Sequence, residues 1–191
     1  MKNLLLLLVI VLCISCGSDP VPKPKAFLRL DYPKPQYIEV NNNLPFTFEK
    51  NSLANNIGKI KTSANQKTLG VEITYPTIKG TIYLTYKKID SASLQRYIVD
   101  AQNITQTHAT RADAITKQPF INFENRVYGM LYEVDGNAAS QSQFYVTDSI
   151  NHFLTGALYF YVKPNYDSIL PAANYIRNDI QHIMETLKWK Q

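Results

Sequence analysis

Cysteine is almost absent. The chain of 191 residues has two, Cys13 and Cys16, both at its very start. Everything beyond Cys16 lacks the means for an internal disulfide or a thiolate metal site, and its stability must come from packing. Histidine is scarce too. His108, His152 and His182 are the only three, and none has a His or Cys neighbour at ligand spacing such as H-x-x-x-H. No stretch after Cys16 approaches the roughly 20 apolar residues of a membrane-spanning helix, so the rest is expected on one side of a membrane. Also missing are the G-x-S-x-G elbow, a glycine-rich phosphate loop, H-E-x-x-H and a paired-Asp motif. Asp148, Ser149 and His152 contain the letters of a hydrolase triad, but three residues of one turn cannot occupy positions that separate elements must supply. No catalytic residue, cofactor or metal site is expected.

What is present begins with a leader. Met1-Lys2-Asn3 precedes an apolar run from Leu4 to Ile14, and Ser15-Cys16-Gly17-Ser18 follows. One cation, a short apolar core and a small-residue exit are the parts of a secretory signal. Cys16 after small Ser15 makes it a lipoprotein signal, with Cys13 in place of the usual Leu three residues upstream. Residues 1–15 are therefore expected to be the signal peptide, and Cys16 the lipid-modified residue. Several acyl chains on one residue hold a protein at a membrane where a single chain does not. Residues 16–35, with Pro20, Pro22, Pro24, Pro33 and Pro35, read as anchor and stiff tether, and 36–191 as one α+β domain. The net charge of +5 draws on Lys23, Lys25, Arg29 and Lys34 of that tether. Nucleic acid is no partner for an exported protein.

Apolar and polar residues alternate in Tyr37–Val40 and Phe46–Glu49, as in half-buried strands. Gly70–Tyr75 and Thr81–Ile89, joined through Pro76–Gly80, form the clearest hairpin. Asp90-Ser91 offers a helix N-cap, and Leu94, Tyr97, Ile98, Ala101 and Ile104 give an amphipathic helix over about Ser93–Gln106. Strands are expected at Phe120–Glu124, Val127–Val134, Gln143–Asp148 and Phe153–Val162. Ile169, Ala173, Ile176, Ile180, Ile183 and Leu187 form the stripe of a closing helix, with Arg177, Asp179, Gln181 and Glu185 facing away. This order predicts a two-layer α+β fold, an antiparallel sheet covered by two amphipathic helices. Its layout is similar to the PsbP-like fold.

Among the histidines, His182 lies off the helical stripe and is expected in solvent, and His152 falls in a predicted turn. His108 stands out because Arg111 and Asp113 follow within one or two helical turns, making these three the candidate functional residues. A lone His near a helix C-terminus more often serves as a dipole partner. The many tyrosines on predicted strands suit core packing, a glycan-stacking platform or a docking face.

Several stretches together resemble the GldD family, gliding-motility lipoproteins of the Bacteroidetes. They are the leader, PKPKAFLRLDYP (Pro22–Pro33), LPFTFE (Leu44–Glu49), YPTIKGTIYLTYK (Tyr75–Lys87) and LQRYIVDAQNITQTHATRADAI (Leu94–Ile115). Within the last of these, Asp100, His108, Ala112 and Ile115 match the family, and Arg111 stands where Lys is expected. The resemblance implies a cell-envelope accessory to gliding and to the associated type IX secretion machinery, with other proteins of that machinery as partners and no defined catalytic residue. A periplasm-facing anchor in the outer membrane is the expectation, with the inner membrane next. The rival expectation is a lipoprotein that binds a small ligand or glycan.

Overall fold

The structure is a computed structural model that describes residues 30–55, 57, 61–63, 67–108, 111–162 and 165–190. The signal, Cys16 and most of the proline-rich tether lie outside the described residues. Among the described residues ten strands and two helices follow in the order β1 (Tyr37–Val40), β2 (Phe46–Asn51), β3 (Lys61–Thr62), β4 (Thr68–Tyr75), β5 (Gly80–Lys88), α1 (Ser91–His108), β6 (Ala112–Asn122), β7 (Val127–Gly136), β8 (Ser142–Thr147), β9 (His152–Phe160), α2 (Tyr166–Thr186) and β10 (Lys188–Trp189). Seven strands make one sheet in the order β3-β4-β5-β9-β8-β7-β6, and β1-β2-β10 make a second. All pairings are antiparallel.

The α+β class is as expected, and strand periodicity explains how the layers form. Even positions of β8 and β9 (Phe144, Val146, Leu154, Leu158) pack with Val71, Ile73, Ile82 and Leu84 against Ile176, Ile180 and Ile183 of α2. Odd positions turn the other way, where Tyr145 and Phe153 meet Tyr132, Ala101 and the partly buried Leu94 and Ile98. The two helices thus take opposite faces of the large sheet, giving a helix layer on either side. Phe46 and Phe48 of β2, wholly buried, bring the small sheet onto the α2 face.

Chain order explains the placement of α1. The chain leaves β5 mid-sheet and enters β6 at the far edge, four strands away. Four strand spacings come to about 19 Å, and the 18 residues of α1 extend about 27 Å, so the helix can bridge that distance. Asp90 caps it as expected: its Oδ1 accepts the Ser93 N–H at 2.8 Å, and the Ser93 hydroxyl accepts the Asp90 N–H at 3.2 Å.

Asp179 overturns the reading of the last helix. Expected to face away, it is 1 % exposed. Its Oδ1 accepts from the Tyr37 hydroxyl at 2.8 Å and its Oδ2 from Asn51 Nδ2 at 3.0 Å, and Asn51 Nδ2 also donates to the Tyr175 hydroxyl. Burial raises the Asp179 carboxyl despite these bonds. Tyr75, buried beside the same carboxylate, is pushed far up by burial and by that charge, although its hydroxyl has no partner of good geometry. The cluster ties β1 and β2 to α2. His182, expected in solvent, belongs to the same seam. Its ring stacks on Tyr37 with centroids 3.5 Å apart, and Nε2 meets Glu49 Oε2 at 2.7 Å.

A candidate cleft at the hairpin ends

The candidate residues from the sequence are only partly brought together. His108 is the last residue of α1, and its side chain lies outside the described part of the structure. The helix does not continue through Arg111 and Asp113. Arg111 is an exposed turn residue, and Asp113 sits in strand β6, where the register shifts between Ala112 and Ala114. That bulge presses Asp113 against Gly136, whose φ is +93°. A Cβ at Gly136 would lie 2.8 Å from the Asp113 backbone nitrogen, so glycine suits the position twice over. The bulge places Asp113 near Tyr166, in the setting of a surface carboxylate.

Polar side chains gather instead at the opposite end of the sheet. The turns closing β6–β7 and β8–β9 stand beside β10, and between them lies a cleft of about 580 Å³. His152 and Trp189 line it as a stacked pair, ring centroids 4.9 Å apart and planes 8° apart. His152 was expected in a turn, but it is the first residue of β9. Burial lowers its pKa, opposed by Asp148. Tyr86, pushed up to about 12 by burial and by Asp148, keeps its proton, and its hydroxyl shares a hydrogen bond with His152 Nδ1 at 2.9 Å.

Asp148 is spent on the backbone. Its Oδ1 accepts the N–H groups of Ile150, Asn151 and His152 at 2.8–2.9 Å. Burial pushes this carboxyl up, but the three backbone donors outweigh it and hold it below the ordinary value. Ser149 takes φ +69° in that turn. The triad letters therefore build a turn, not a relay. Across the cleft, Arg126 ends the β6–β7 turn with φ +53°, and its carbonyl accepts Trp189 Nε1–H at 3.1 Å. Lys188 and Lys190 complete the cationic rim. Sequence reasoning missed this site because its members lie in three separated segments. The one available signal was Trp189, an aromatic residue two positions beyond the last apolar residue of the closing helix.

A second concavity lies on the other face. Beside α1, Tyr83, Thr85, Ile104, Thr155 and Tyr159 border an apolar groove of about 180 Å³. At its floor Gly156 lets the Phe144 ring cross β9, since a Cβ there would lie 2.1 Å from Phe144 Cε1. Gln143, another lining residue, is 4 % exposed. Its Oε1 accepts from Thr105 at 3.3 Å, while its buried Nε2 has no partner.

Among the described residues no group of three His, Cys, Asp or Glu side chains is placed to hold a metal ion, and no helix is long and apolar enough to cross a membrane. No curated protein and no solved structure matches the chain. Residues 17–189 match the family described as gliding motility lipoprotein GldD. That span takes in the cleft, both helices and both sheets, so this chain belongs to the gliding motility lipoprotein GldD family.

Proposed function

We propose that the protein is a lipid-anchored cell-envelope accessory that supports gliding motility and the associated type IX secretion machinery by binding other envelope proteins, without catalysis of its own. The family match over 17–189 carries the reading. It begins one residue beyond Cys16, which is the proposed lipidation site, with 1–15 as the signal, 16–35 as anchor and tether, and 36–191 as one folded domain. Tethering raises the local concentration of a binding domain near its partners. The cleft chemistry supports binding, since Tyr86 and Trp189 engage His152 and the turn backbone occupies Asp148. A periplasm-facing outer-membrane anchor is proposed, because Gly17 and Ser18 lack an inner-membrane retention Asp. Deleting the gene in its host is expected to abolish spreading and reduce type IX export. Normal spreading and export would overturn the reading. Co-purification from detergent-solubilised envelope then identifies partner and membrane together.

The groove beside α1 favours a second reading, a lipoprotein that binds a small ligand or glycan. Tyr83 and Tyr159 border it, and such rings can stack on a sugar or ring-bearing ligand. An apolar cavity of about 150 Å³ accepts a benzene-sized group, which fits the groove's dimensions. Ligand-dependent stabilisation of the purified chain by a glycan panel tests this alternative.

A further inference from the structure

We propose that the cleft at the hairpin ends docks an acidic polypeptide segment of the partner, with Arg126 as the anchoring cation. The proposal rests on the protein-binding reading above and assigns it a surface.

The first argument is charge. Arg126, Lys188 and Lys190 line the cleft, against Glu124 and Asp148, and Lys88 adds a further positive charge beside His152. Asp148 is already committed to its turn. Among the described residues Lys190 Nζ donates only to neutral oxygens, Asn41 Oδ1 and Asn42 O. Among the described residues no carboxylate pairs with Arg126, Lys88 or Lys188. A planar guanidinium free of partners presents a fork that matches a carboxylate.

Backbone conformation provides the second argument, independent of charge. Arg126 sits at φ +53°, a left-handed position that Gly or Asn occupies at lower cost. The turn thus holds the cleft's arginine at a place where its backbone is unfavourable.

Shape decides the kind of partner. A concave site of this size admits an extended chain and excludes a bilayer surface. Inside it, Asn125 and Asn151 offer amides for a peptide backbone, and the His152–Trp189 pair offers a shelf for an apolar neighbour.

Trp189 is the chain's single tryptophan, so its fluorescence reports on the cleft directly. The full chain in detergent is titrated with short poly-L-glutamate and, separately, with inorganic phosphate. Poly-L-glutamate is expected to shift Trp189 emission saturably, and phosphate at equal charge is not. Arg126→Asn is expected to weaken binding by about tenfold or more, with an unfolding midpoint equal to or above the parent's, because the substitution relieves the left-handed position. Lys188→Gln, on an exposed side chain, is expected to weaken binding a few-fold and serves as the test if Arg126→Asn does not fold. Silence toward poly-L-glutamate, an equal response to phosphate, or unchanged binding in the Arg126→Asn chain overturns the proposal. If envelope partners still co-purify in those cases, the cleft assignment fails and the protein-binding reading stands.

Discussion

Replacing Asp179 with Ala removes an acceptor from the seam between α2 and the small sheet. The Tyr37 hydroxyl then loses its only partner there, and Asn51 Nδ2 keeps only its bond to Tyr175. Hydrogen bonds to a charged group contribute roughly 1.5–3 kcal/mol each, so two amount to about 3–6 kcal/mol. Against this, the substitution relieves the burial that raises the Asp179 carboxyl. A net loss of about 3 kcal/mol is expected, within the range for breaking a buried polar cluster. Urea unfolding followed through Trp189 measures it. A double-mutant cycle with Tyr37→Phe should give a coupling of about 1–2 kcal/mol. The carboxyl also sets a pH signature. Its folded pKa lies above the ordinary 3.8, so the folded chain holds a proton that the unfolded chain releases, and stability falls as pH rises through that interval. Asp179→Asn abolishes this slope. A loss below about 1 kcal/mol in the Ala variant, or a coupling near zero, would refute the account of the seam.

Two further outcomes follow from the geometry. Gly156→Ala places a methyl against the Phe144 ring and should cost about 1–3 kcal/mol, read as a lowered urea midpoint; a neutral substitution would mean the ring has room to turn. His152 has a folded pKa below the ordinary 6.5 because of burial, so stability should be lost as pH falls through 6.5, when the unfolded chain takes up a proton that the fold resists. His152→Gln keeps a polar partner for Tyr86 and should flatten this loss between about pH 7.5 and pH 5.5, while an unchanged slope would assign it elsewhere.

Local periodicity made most elements legible. The β4–β5 hairpin, the Asp90 cap and the Ile176–Ile180–Ile183 stripe each depend on neighbours within a few residues, and they stand close to where alternation and three-to-four spacing put them. Legibility ended where one position answers to distant chain. Asp179 reads as polar on a helical wheel, and only Tyr37 and Asn51, more than 120 residues away, make its burial tolerable. The opposite faces taken by α1 and α2 follow from β6 lying at the far edge, which no local pattern specifies. His108, Arg111 and Asp113 formed a trio only if the helix continued, whereas Ala112–Asn122 pairs antiparallel with β7 as a strand instead. The cleft was least legible, because its turns carry Arg126 and Ser149 where Gly or Asn would have flagged left-handed backbone.

The seam between β5 and β9 has a consequence for how the chain reaches its fold. Thr155 of β9 donates its hydroxyl to the Thr85 carbonyl across a separation of 70 residues. A chain delivered N-terminus first completes the β4–β5 hairpin early, while the other side of β5 must wait for α1 and three further strands to emerge before it is covered. During that interval its apolar edge offers unpaired N–H and C=O groups to any neighbouring chain, and pairing over so long a loop closes slowly. Slow delivery of the chain therefore lengthens the time at risk, and a chaperone that shields bare strand edges would raise the yield of this protein more than one that acts on helices.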